Sequence, residues 1–78
     1  MHTGMLWFDN DPHVTLSAKI QKAMDYYSKK FGRVPEICLV NPSMFDKGQT
    51  QLILGKVTIR AYRPVMLNHF WIGVEDQK

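Results

Sequence analysis

The stretch between Pro12 and Gly32 carries the chain's one long helical repeat of apolar residues, and it constrains everything around it. Leu16, Ile20, Ala23, Met24, Tyr27 and Phe31 recur at three- and four-residue steps and so share one face. Pro12 suits a first helical turn, and Asp11 or Thr15 can cap the free amides. Lys29 and Lys30 fall in the last turn, where the helix dipole favours cations. Gly32 supplies the left-handed residue that ends a helix, and Pro35 prevents it resuming. The spacing predicts a helix over residues 12–31. One apolar stripe needs a cover, and the remaining apolar segments are too short and too β-like to be a second helix.

Those segments read as strands. Met5-Leu6-Trp7-Phe8 is a short aromatic-rich run ended by Asp9-Asn10-Asp11-Pro12, a strand followed by a turn. Ile37-Cys38-Leu39-Val40 is continuously apolar, as expected of a strand buried on both faces. Asn41-Pro42-Ser43, with Gly48 beyond, predicts a capped single helical turn pinned to the core by Met44 and Phe45. Leu52-Ile53-Leu54 is a short strand. Residues 56–62 alternate strictly and predict a strand with one wet face, and a last strand runs from about Phe70 to Val74 before a polar tail. A strand–helix–strand crossover should set the first two strands parallel, with later neighbours antiparallel. The fold class expected is α+β: a single small domain, residues 1–78, with a mixed β-sheet, one long helix packed on one face and a short helical turn. Its expected core is Leu6, Leu16, Ile20, Met24, Tyr27, Phe31, Ile37, Leu39, Val57, Ile59, Phe70 and Ile72.

Size and composition exclude several classes of function. With 78 residues, 45% of them hydrophobic, the chain is globular rather than disordered, but its core is small. A single cysteine, Cys38, excludes an internal disulfide and any multi-cysteine zinc cage, and a thiol inside an apolar strand acts as a small hydrophobe. No apolar run approaches the roughly 18 residues that span a bilayer, so no membrane partner is expected. The start, Met1-His2-Thr3-Gly4, lacks the basic-then-apolar order of a secretory signal, and the expected location is the cytoplasm.

Catalytic chemistry finds little purchase. His2, His13 and His69 stand at no metal-ligand spacing from one another or from Cys38, and the five glycines are scattered singly. No cofactor or metal is implied, and no pair of titratable groups has the local spacing of acid–base work. Asp9-Asn10-Asp11 after an apolar strand resembles the first motif of haloacid-dehalogenase-type phosphatases. However, Pro12-His13 stands where that family has Gly-Thr, and 78 residues cannot hold its later motifs. The same residues are what a tight turn and helix cap require.

Charge placement offers two candidate surfaces. The formal net charge is +3, concentrated in two blocks. Lys19, Lys22, Tyr26, Lys29, Lys30 and Arg33 lie on one side of the helix, where a basic stripe could track the phosphates of a nucleic acid. Solubility alone would also favour such a face. The second surface is the outward side of the alternating strand, Lys56, Thr58, Arg60 and Tyr62, joined by His69 and Trp71 if Phe70, Ile72 and Val74 point inward. Self-association is the first expectation for that aromatic face. Cover by Trp7 or by the tail is the second, and base stacking on single-stranded nucleic acid the third.

One resemblance bears on architecture. Phe31-Gly32-Arg33-Val34-Pro35-Glu36-Ile37-Cys38-Leu39-Val40-Asn41-Pro42 follows the long helix, with Gly55-Lys56-Val57-Thr58-Ile59 and Phe70-Trp71-Ile72-Gly73 later. That succession is similar to the central A-domain segment of HK97-type phage capsid proteins. There a helix leads through a proline to a buried strand ending in Asn-Pro. The resemblance spans residues 16–74 and implies a mixed sheet; the arm, extended loop and peripheral domain of that fold have no counterpart, so no functional residue carries over. The sequence thus points to a non-enzymatic interaction or dimerisation module, with sequence-tolerant nucleic-acid binding as the alternative.

Overall fold

A computed structural model describes residues 2–45 and 51–75. The first strand, β1, is His2–Phe8; the helix, α1, is Leu16–Phe31; β2 is Ile37–Val40. A 3-10 turn, Pro42–Met44, precedes β3 (Gln51–Leu54), β4 (Val57–Ala61) and β5 (His69–Glu75). The five strands form one mixed sheet in the order β1-β5-β2-β4-β3, with α1 packed on one face. This is the α+β domain that the periodicities imply. The expected Gly48 turn and the last residues of the polar tail lie outside the described residues.

The helix begins later than the apolar spacing suggests. Thr15, in an extended conformation, is its N-cap and accepts a hydrogen bond from Ala18 N at 3.1 Å. Asp11 is not the cap, and Pro12 precedes the helix rather than opening it. Asp9 accepts from Asp11 N at 3.0 Å and Asp11 accepts from His13 N at 2.9 Å, two successive turns built on aspartate side chains. At the other end Gly32 adopts φ 71° and its N–H donates to Ser28 O.

β5 lies between β1 and β2 and runs antiparallel to both, so β1 and β2 are parallel but not adjacent. β2 pairs in parallel with β4, and β3 returns antiparallel to β4 through the two-residue turn Gly55-Lys56, Gly55 taking φ 62°. Because β4 and β5 flank β2, the connection between them passes the end of β2. There Tyr62 N donates to Val40 O at 2.7 Å.

The core beneath α1 contains Ile20, Ala23 and Tyr27 against Cys38, Val40, Val57, Ile59, Phe70 and Ile72, all fully buried. Leu16 and Met24 flank it, half-buried. Three further expected core residues are not buried, and a fourth, Ile37, is buried on the other face of the sheet. Leu6 is 62% exposed on the opposite face, and Leu39 is half-buried there. Ile37 is buried, but also on that face, opposite Thr58 and Gly73. Phe31 ends the helix 39% exposed, its ring 4.6 Å from Tyr27.

Cys38 faces the helix side with no exposed surface, and burial pushes its thiol up to about 12 from 9.0. Native protein should therefore react with a maleimide only as fast as it unfolds. The thiolate forms in the unfolded chain above pH 9 but not in the native one below 12. Stability should thus hold below pH 9 and fall by up to ~1.4 kcal/mol per pH unit above it. Cys38→Ala should remove this component of alkaline instability. Rapid stoichiometric labelling of folded protein at pH 7 would contradict this placement.

Candidate functional site

The face of the sheet away from α1 is uncovered among the described residues. Strand register aligns one row across all five strands: Gln51, Arg60, Leu39, Trp71 and Leu6, from β3 to β1. Residues directly opposite in a ladder project to the same side, so this row forms a continuous strip. The next row holds Ile53, Thr58, Ile37, Gly73 and Gly4.

The two glycines leave a gap in this row that the Trp71 indole enters at Gly4. A Cβ on Gly4 would stand 2.5 Å from Trp71 Cζ2 and 2.6 Å from Ile72 O, so the indole lies directly over the β1 backbone. Only glycine permits that approach.

The connection from β4 to β5 builds a wall at one end of this face. Asn41 holds it: its Nδ2 donates to Val65 O at 3.0 Å while its Oδ1 accepts from Ser43 N and Oγ. Val65 is 7% exposed, anchoring the connection. Asn68 takes φ 66°, and its carbonyl accepts from Asp9 N at 3.0 Å, which ties the wall's far end to the exit of β1. His69 Nδ1 lies 3.0 Å from Leu67 O; a carbonyl only accepts, so Nδ1 carries the proton. The His69 ring also packs on Phe8 at 4.9 Å. Between wall and sheet lies a cleft of about 860 Å³, with Leu6, Leu39 and Trp71 as its floor and Tyr62, Met66 and His69 among its sides.

Of the six residues expected on this surface, the structure gathers Arg60, Tyr62, His69 and Trp71 at the cleft. Thr58 is on the same face but does not line it. Lys56 leaves the strand altogether and is exposed in the β3–β4 turn, at the opposite end of β4 from the cleft. Leu6 and Leu39 went unforeseen here because continuous apolar runs carry no alternation from which to read a face. Trp7, expected as a cover, points to the helix side, its ring 5.1 Å from Tyr26 and its buried Nε1 without an acceptor among the described residues.

The basic helix stripe is thinner than its sequence. Lys19 is 6% exposed, and its Nζ donates to Asp9 O at 3.3 Å. On a helical wheel it stands only about 40° from Ala23, which is buried, so it falls at the edge of the apolar face. Tyr26 is engaged by Trp7. Lys22, Lys29, Lys30 and Arg33 remain exposed, with Lys30 Nζ 5.7 Å from the Phe31 ring centroid. Asp25 accepts from Gln21 at 3.2 Å.

Among the described residues no group of three His, Cys, Asp or Glu is placed to hold a metal ion, and no helix is long and apolar enough to cross a membrane. Comparison with protein-family models, with curated proteins and with solved structures finds no match to the chain.

Gly4→Ala should displace the Trp71 indole and cost about 1–3 kcal/mol in denaturant unfolding, because both a ring and a backbone oxygen block the methyl. An unchanged unfolding midpoint and near-ultraviolet dichroism would show that the indole does not lie on Gly4.

Proposed function

We propose that this chain is a non-enzymatic interaction module that associates with a second copy of itself through the open face of its sheet. The observation that carries the reading is that face's exposed apolar surface: Leu6 is 62%, Phe8 56% and Ile53 64% exposed. Arg60 is the one Lys or Arg lining the cleft, and no Asp or Glu lines it. Apolar surface poor in charge is what the centre of a protein interface requires. A 78-residue chain also gains from it, since burial against a partner adds to a small core and stabilises by mass action.

Sedimentation equilibrium over a wide concentration range should report a reversible dimer. Leu6→Glu should weaken it at least tenfold, about 1.4 kcal/mol, without lowering monomer stability, because Leu6 is outside the core. A strict monomer at millimolar concentration would sink the proposal.

A second reading rests on the four exposed cations of α1, Lys22, Lys29, Lys30 and Arg33, with Asp25 engaged by Gln21 rather than by a lysine. Such a face supports sequence-tolerant nucleic-acid binding with Kd of about 10⁻⁴–10⁻⁶ M that weakens steeply with salt. Lys22→Glu with Lys29→Glu should abolish oligonucleotide binding at low salt while leaving the fold intact. Binding that survives both replacements removes the stripe from consideration.

A further inference from the structure

We propose that the cleft on the open face is a binding site for an amphiphilic carboxylate: an acyl or aryl body laid across Leu6, Trp71 and Leu39, with its carboxylate at Arg60. These four residues are register partners on adjacent strands, so they form one straight strip. Three strand spacings separate its ends, about 14 Å of backbone, which suits a medium-length chain. The strip is apolar along three positions and cationic at the fourth. A guanidinium offers a planar pair of donors that matches a carboxylate, and no Asp or Glu lines the cleft to compete for it. The cleft's volume, about 860 Å³, is large enough for a small-molecule ligand.

The wall supports the same conclusion. Asn41 and Asp9 hold the β4–β5 connection in place within one chain. The site is therefore complete in a single copy. It shares a face with the self-association reading but does not depend on it.

Isothermal titration calorimetry of the intact chain with decanoate, decanol and decylammonium, below their micellar concentrations, tests the assignment. Sedimentation velocity on the same samples gives the oligomeric state. Decanoate should bind once per chain, at least tenfold more tightly than decanol or decylammonium. Arg60→Gln, a substitution at an exposed position, should reduce decanoate to the affinity of decanol without changing the far-ultraviolet dichroism. Equal affinity for all three probes, decanoate binding indifferent to Arg60→Gln, or no decanoate binding would each overturn the proposal. Decanoate binding by a strict monomer supports the site while sinking the dimer. A dimer that binds no decanoate does the reverse.

Discussion

One helix can cover only one face of a sheet, and that imbalance shapes this molecule. Sixteen residues of α1 make a rod about 24 Å long and about 10 Å across. Five strands at about 4.8 Å spacing present a comparable width on two faces. The helix-facing side takes Ile20, Ala23 and Tyr27 into a fully buried core. Among the described residues the other side receives only the β4–β5 connection, which reaches across one end of it. Here Leu6, Phe8 and Ile53 stay in contact with solvent.

The parts legible in the sequence were those governed by local periodicity. Gly32 and Pro35 mark the helix end because φ is a property of single residues. Alternation over residues 56–62 assigned faces that the burial of Val57 and Ile59 matches, and the inward Phe70, Ile72 and Val74, posed as a condition, are buried as well. Where alternation is missing, face assignment fails. Met5-Leu6-Trp7-Phe8 and Ile37-Cys38-Leu39-Val40 are apolar at every position, and both parities look equally good. The pairing register chooses between them, and a one-residue slip would invert every side chain. β5 pairs with both strands and so ties their registers together.

The site was legible to the same degree and for the same reason. Arg60 and Tyr62 come from a segment whose outward positions could be counted, and His69 and Trp71 follow once Phe70, Ile72 and Val74 point inward. Leu39 and Leu6 complete the strip only because β5 is inserted between β1 and β2, a non-local choice that no window of sequence contains. The position of the wall is equally non-local, since it depends on an Asn41 side chain reaching a carbonyl 24 residues away. Lys19 shows the opposite failure. Its charge suggested solvent, yet a long aliphatic stem allows burial when a carbonyl such as Asp9 O receives the ammonium.

Glycine placement links the fold to the site most directly. Gly4 and Gly73 are register partners, so the row beside the Leu6–Arg60 strip loses its side chains on two adjacent strands. In most sheets such a gap weakens the ladder and leaves nothing to pack. Here Trp71 turns over Gly4 and fills the gap with an indole. The large ring thus lies against the β1 backbone, beside Leu6 and Leu39 in the cleft. A bulkier residue at Gly4 would raise the ring into that space. The Trp71 part of the cleft thus rests on a backbone position outside the cleft's lining, and a residue that makes no contact with a ligand there still shapes the open face.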